Sequence, residues 1–209
     1  MRLKNIKGAS QYIEDSPYVI TDPKNYRGKW QKVFANNNEI HVEIGMGRGD
    51  FIIQMALKNP SINYIGIEKY ASAMYKAIKK IENKNISNLK LINIDAILVD
   101  EIFNKEIGLI YLNFSDPWPK ARHHKRRLTS EIFLSKYDKI FKSRNVIILR
   151  TDNEALFSYS LVSLSGFGYI IKSVELDFHR SVKYNGIMTE YENKFSSLGY
   201  KIMYLECEK

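Results

Sequence analysis

The sequence predicts a doubly wound α/β domain on a mostly parallel, seven-stranded sheet with one antiparallel strand near the C-terminus. Three observations carry that reading. From Ile40 onward, short apolar and β-branched runs alternate with segments of helical period, and uniformly apolar strands belong to sheets covered on both faces. The first run ends in Gly45-Met46-Gly47-Arg48-Gly49, a turn set where such sheets bind ligands. The last stretch breaks the rhythm, because a strand, a helix and a strand there suit a closing pair with one antiparallel member.

Residues 1–38 read as an irregular extension with Tyr12, Tyr18, Tyr26 and Trp30 among basic residues. Residues 40–44 are the first strand. Asp50 opens a helix through Phe51, Ile52, Met55 and Ala56 that stops before Pro60. Residues 64–67 make the second strand. The helix over 71–81 places Ala73, Ala77, Ile78 and Ile81 on one face. Strand three covers 89–94, followed by a short helix over 97–103. Strand four covers 109–114, a helix 130–141, strand five 146–149 and a helix 154–165. Residues 169–178 and 201–206 are the closing strands, flanking a helix over 191–198.

The 209 residues suffice for one well-buried core, so a single domain is the expectation. Apolar content of 44% with 26% charged residues argues against disorder. No apolar stretch approaches the roughly 20 residues of a membrane helix, and the N-terminal residues lack the apolar block of a secretory signal. The single cysteine, Cys207, rules out an internal disulfide and a Cys-based zinc site. Adjacent His123 and His124 would point oppositely on a strand, so no metal is expected. The expected setting is cytoplasmic. A net charge of +9 puts nucleic acid first among partners, although a Lys-rich background also yields basic proteins, so the position of the charge decides.

Four acids fall at strand ends: Glu43, Glu68, Asp95 and Asp116. Gly45 and Gly47 let the backbone approach a ligand, and Glu68 is placed to accept hydrogen bonds from ribose hydroxyls. The glycine spacing is not that of a dinucleotide loop, and Glu43 and Asp50 beside it would repel a pyrophosphate. They suit a ligand carrying an amino group and a sulfonium. S-adenosylmethionine fits, with Glu43 near its methionine end, Glu68 on the ribose and Asp95 at the adenine amino group. Asp95 also reads simply as a turn residue.

Strand four runs into Phe114-Ser115-Asp116-Pro117-Trp118-Pro119-Lys120, then Ala121-Arg122-His123-His124-Lys125-Arg126-Arg127, so residues 120–127 carry five Lys/Arg and no acid. A place for a flat ring beside a landing strip for phosphates suggests chemistry on a nucleic-acid base. The plain alternatives are a turn at Asp116-Pro117, a core Trp118 and a solvated charge run.

With the glycine turn, Gly66-Ile67-Glu68 and Asn93-Ile94-Asp95-Ala96, this motif resembles the bacterial tRNA (guanine-N7-)-methyltransferases, class I Rossmann-like methyltransferases. Thr151-Asp152-Asn153, Thr189-Glu190-Tyr191-Glu192-Asn193-Lys194-Phe195, Gly28-Lys29-Trp30 and residues 1–3 extend the likeness over nearly the full length. One departure is Gly199-Tyr200-Lys201-Ile202-Met203, where the family commonly has Gly-x-Pro-Ile-Tyr. The resemblance implies methylation of guanine N7 at position 46 of the tRNA variable loop, with S-adenosylmethionine as cofactor. It implies Asp116 as the central residue, touching cofactor and base, and Lys120, Asp152, Thr189, Glu190, Tyr191 and Glu192 as substrate contacts. Arg122, His123, His124, Lys125, Arg126 and Arg127 become RNA contacts, in a monomer or homodimer. Thr189 and Glu192 also have the spacing of a capping box. Arg2, Lys4, Lys7, Arg27, Lys29 and Trp30 read as a mobile arm that orders on RNA.

Three rivals share parts of this pattern. A nicotinamide oxidoreductase is disfavoured by the acid-flanked loop. A non-catalytic RNA-binding module has no need of buried carboxylates. A small-molecule amine methylase leaves the run over 122–127 without a purpose.

Overall fold

A computed structural model describes residues 6–209, so Arg2 and Lys4 of the expected arm lie outside the described residues. Seven strands form one sheet: β1 (Ile40–Ile44), β2 (Asn63–Ile67), β3 (Leu89–Ile92), β4 (Ile107–Asn113), β5 (Phe141–Thr151), β6 (Ile170–Glu175) and β7 (Met203–Glu208). Their order is β3-β2-β1-β4-β5-β7-β6. The strands β1 to β5 pair in parallel, and β7 alone runs antiparallel, against both β5 and β6. The predicted class and the single reversed strand are both present.

Every residue of β1 and β2 is buried. Period-two geometry sends Ile40, Val42 and Ile44 into one layer and His41 and Glu43 toward the other. On the first face lie α2 (Trp30–Phe34), α5 (Val99–Ile102), α6 (Glu131–Ile140) and α7 (Glu154–Gly166), supplying Trp30, Ile102, Tyr137 and Leu164 to the core. On the second lie α1 (Ala9–Glu14), α3 (Asp50–Lys58) and α4 (Ala71–Ile81), supplying Ile13, Phe51, Ile52, Met74 and Ile78. The chain leaves β1 toward β2 and later returns to β4 on β1's other side. This reversal opens a crevice beyond the carboxyl ends of β1 and β4.

Several boundaries differ from expectation for identifiable reasons. β4 stops at Asn113 because Phe114 turns left-handed, with φ 51°. β5 begins at Phe141, straight out of α6, with exposed Lys142, Ser143 and Arg144 that carry no apolar signal. β3 ends at Ile92, and the closing strands settle at Ile170–Glu175 and Met203–Glu208.

The larger correction concerns the N-terminal segment. It contains α1, α2 and a 3₁₀ turn over Pro23–Tyr26, not an irregular arm. Trp30 is fully buried, its indole N–H donating to the Ile102 carbonyl at 2.8 Å. The amides of Gly28 and Trp30 donate to the two carboxylate oxygens of Glu106, each at 2.9 Å. Val19 bridges Leu91 in parallel, and the Leu91 amide donates to Tyr18, so the segment covers the β3 edge. Lys7, Arg27 and Lys29 stay exposed, but Arg27 donates to the Asp100 carbonyl and Trp30 is core.

Cys207 on β7 is buried, its thiol 3.7 Å from the Ile147 carbonyl of β5. Among the described residues no helix is long and apolar enough to cross a membrane.

Candidate active site

The crevice contains a cleft of about 500 Å³ lined by Gly45, Glu68, Asp95, Phe114, Asp116 and Trp118 among others. Its two walls are built differently.

One wall comes from β1, β2 and β3. Gly45 and Gly47 hold φ of 78° and 57°, a region that side chains rarely adopt, and a Cβ on Gly45 would meet nothing within 4 Å. Met46 of this turn lies on Gly66 so closely that a Cβ there would come within 2.3 Å of its sulfur. Glu68 braces the turn: its carboxylate accepts from the Gly47 amide at 3.0 Å and the Tyr70 amide at 2.8 Å. Burial raises its carboxyl above the usual range, and those amides oppose the rise. Asp95 caps the short turn Ala96–Leu98 by accepting from the Ile97 amide at 3.0 Å, with Lys69 at 4.0 Å.

Glu43 does not line this cleft, and neither does Gly47. Glu43 is buried beneath it, one carboxylate oxygen accepting from Asn113 Nδ2 at 2.8 Å and the other without a hydrogen-bond partner among the described residues. Burial pushes its carboxyl up to about 7; Asn113, the charge of Arg150 and the nearby Ile52 amide restrain the shift. Glu43, expected near the methionine end of a ligand, thus stands beneath the cleft and not on its lining.

The other wall is the corner after β4. Phe114 and Trp118 both adopt left-handed backbone, φ 51° and 42°, which is strained for side-chain-bearing residues. The Phe114 amide donates to the Arg150 carbonyl at 2.8 Å. Between the two strained residues, Asp116 is exposed, and its carboxylate makes no hydrogen bond or ion pair among the described residues. The Trp118 ring has the Arg126 guanidinium 4.9 Å from its centroid and the His123 ring edge-on at 5.7 Å.

The basic run folds as a 3₁₀ turn over Ala121–Arg126. Lys125 and Arg126 line the cleft, Arg122 and His124 are exposed, and Lys120 stands exposed at the turn's entrance. His124 Nδ1 pairs with the Ala121 carbonyl at 2.7 Å. Arg127 differs. It turns inward, donating to the carbonyls of Pro117 at 2.9 Å and Trp118 at 3.2 Å, with its guanidinium 4.2 Å from the Tyr159 ring centroid.

Behind Phe114 stands α8 (Glu190–Ser197), opened by the expected capping box: the Glu192 amide donates to the Thr189 hydroxyl at 2.9 Å, and the Glu192 carboxylate accepts from the Thr189 amide. Tyr191 stacks on Phe195 at 4.1 Å and meets Phe114 at 5.2 Å, while its hydroxyl donates to Asp152 at 3.1 Å. Burial, then Asp152, pushes the Tyr191 hydroxyl up to about 12. Glu190 pairs with Arg48 of the glycine turn. Glu192, expected to contact substrate, is fully buried instead, paired with His179 at 2.9 Å and Arg150 at 3.6 Å. Arg150 also donates to the Ile187 carbonyl at 2.9 Å and lies over the rings of Phe51 and Phe178.

The sequence alone assigns no role to Arg150 and His179, and it places Asn113 only in the fourth strand and the motif that follows it. Arg150 alone left a trace there, as a charge directly after the apolar 146–149 run at a strand's carboxyl end. Among the described residues no cluster of His, Cys, Asp and Glu is arranged to hold a metal ion.

The sheet order with its reversed seventh strand, joined to an acid-rich cleft at the switch point, defines a Rossmann-like methyltransferase fold. Solved structures agree at the level of fold. An antibiotic-related methyltransferase superposes with TM-score 0.62 at 19% identity, covering 87% of this chain and 92% of that one. The 16S rRNA methyltransferase KamB also gives 0.62, at 12% identity and the same coverage. A family model described as "Putative methyltransferase" matches residues 37–205. The tRNA (guanine-N(7)-)-methyltransferase of Lachnoclostridium phytofermentans is 50% identical over 204 residues, 97% of this chain and 95% of that protein. That of Bacillus subtilis is 46% identical over 210 residues, 100% of this chain and 99% of that protein. The chain belongs to the tRNA (guanine-N(7)-)-methyltransferase family.

Proposed function

We propose that this protein transfers a methyl group from S-adenosylmethionine to N7 of guanine 46 in the variable loop of tRNA. The observation that carries the reading is the carboxylate of Asp116, unpartnered among the described residues and held beside Trp118 on a cleft whose opposite wall presents Gly45, Glu68 and Asp95. The family membership supports the reaction class, and the names of the relatives support tRNA guanine N7 as target.

The residues present fit the cofactor. The cleft falls in the range of about 300–1,000 Å³ usual for small-molecule sites. Glu68 spends two acceptor sites on amides, which leaves lone pairs for ribose hydroxyls, and Asp95 offers its outer oxygen to the adenine amino group. Gly45 leaves the backbone open to the methionine end, above Glu43. Acidic walls suit a cationic sulfonium. When bound, S-adenosylmethionine supplies an electrophilic methyl carbon.

Guanine N7 carries a free lone pair, so no proton has to leave it and no general base is required. The protein's work is alignment and exclusion of water. Asp116 accepts from N1–H and N2–H of guanine, a donor pair that adenine lacks, and its negative charge offsets the charge gained by the methylated ring. Trp118 walls the base. Lys120, Arg122, His123, His124, Lys125 and Arg126 take the flanking phosphates. Asp152, Thr189, Glu190 and Tyr191 meet the nucleotide from the α8 side, with Glu192 holding that helix in place.

The test is methyl transfer from radiolabelled S-adenosylmethionine to unmodified tRNA transcripts, one carrying guanine 46 and one carrying adenine there. Label on the first alone is expected. Label on both would move the target base, and label on neither, with cofactor still bound, would refute an RNA substrate.

A further inference from the structure

We propose that Arg127, the last residue of the basic run, is a positioning residue for the base-binding corner and not a contact for RNA phosphates. The proposal rests on reading Asp116 and Trp118 as the guanine site. Among the described residues Asp116 has no side-chain partner, so its backbone sets where its carboxylate points. That backbone runs between two strained residues, Phe114 and Trp118. Strain of this kind persists only where neighbours over-determine the conformation. The Phe114 end is held by its amide bond to the Arg150 carbonyl.

At the other end, Arg127 supplies the hydrogen bonds on two successive carbonyls: Nε to Pro117 at 2.9 Å and Nη2 to Trp118 at 3.2 Å. Its guanidinium lies 4.2 Å from the Tyr159 ring centroid, which ties the fork to α7. Adjacent arginines thus divide the labour. Arg126 is exposed, lies over the Trp118 ring and lines the cleft, free to meet a phosphate. Arg127 is half-buried and committed to the protein's own main chain. A planar fork that spans two carbonyls and stacks on a ring is a task lysine cannot perform, whereas lysine is a serviceable phosphate contact.

That difference supplies the experiment. Arg127→Lys and Arg127→Ala are compared with wild type, with Arg126→Ala as the reference for a phosphate contact. Three quantities are read: kcat and KM for tRNA methylation, tRNA affinity across salt concentrations, and acrylamide quenching of Trp118. The last is the difference between each protein and its Trp118→Phe counterpart, since Trp30 is the only other tryptophan. Both Arg127 variants should lose roughly 100-fold in kcat, the scale of an ångström-level misplacement. They should keep the wild-type salt slope and at least double the quenching of Trp118. Arg126→Ala should flatten the salt slope by about 1. Wild-type kcat in Arg127→Lys would overturn the proposal, as would a flattened slope with kcat restored at saturating tRNA, or unchanged quenching. If the alanine variant fails to fold, the lysine variant decides. A wild-type protein that labels no tRNA would refute the function proposed above, and the quenching comparison would still decide the clamp.

Discussion

The two walls of the cleft hold their carboxylates in opposite conditions. On the β1–β3 side every acid is already occupied: Glu68 by two amides, Asp95 by its own turn, Glu43 by Asn113. On the β4–β5 side Asp116 is exposed and unpaired at the tip of a strained corner. The difference teaches where each wall's specificity comes from. The first is a pre-formed shelf whose acids are each anchored by the protein's own donors before a ligand arrives, with one oxygen of Glu43 left without a hydrogen-bond partner among the described residues. The second keeps open acceptors, so it discriminates by what a partner can donate.

The comparison breaks most visibly at Asp116. Asp116→Ala should lower methyl transfer by about 10³-fold, the scale of one lost electrostatic stabiliser. Affinity for S-adenosylhomocysteine, followed by calorimetry, should change by less than about tenfold, because the shelf is untouched. A larger loss of cofactor affinity than of turnover would erase the distinction between the walls.

Arg150 is where the open wall takes its support, and its removal tests whether that support is structural. Arg150→Met removes the one guanidinium beside the buried carboxylate of Glu192 and leaves it with His179 and the Thr189 amide. A destabilisation of about 3 kcal/mol is expected in urea unfolding, near the low end for a broken buried pair. An unchanged midpoint would mean that α8 is held by its packing.

The shelf has its own signature, in pH. The Glu43 carboxyl is pushed up to about 7 from an ordinary 4.5 by burial. Between those values the folded protein keeps this proton and the unfolded chain has lost it. Stability therefore falls as pH rises from 4.5 to 7, and the penalty is complete above that window. Glu43→Gln should remove that contribution, gaining about 2–3 kcal/mol over wild type at pH 8 relative to pH 4. Parallel stability curves for the two proteins would show that the Glu43 carboxyl titrates alike in the folded and unfolded chain.

What the sequence disclosed follows the same division. The parallel strands were legible because burial on both faces leaves short, mostly apolar runs at 64–67 and 109–112 and keeps Ile40, Val42 and Ile44 in the first strand, where His41 and Glu43 are the polar exceptions. The capping box at Thr189 was legible because it is a local pattern of side chain and spacing. The chemistry of single residues was less so. Glu43 looked like a ligand contact because its distance from the surface depends on how α3 packs over β1. Glu192 looked like a substrate contact because His179 and Arg150 reach it from 13 and 42 positions away in the chain. Trp30 looked like part of a mobile arm, but its indole is held by Ile102 and Phe103, 72 and 73 positions further along the chain. Arg127 sits in a run of like residues, and only the tertiary structure distinguishes the one that turns inward.

The placement of β7 between β5 and β6 has a practical consequence. It carries the chain's single thiol, shielded by strands on both sides and pushed by burial up to about 12, so an alkylating reagent cannot use it while the sheet is closed. Each covalent capture of Cys207 records one departure of β7 from its slot. The molecule thus contains its own stopwatch for local opening, readable by mass spectrometry without any label being engineered in.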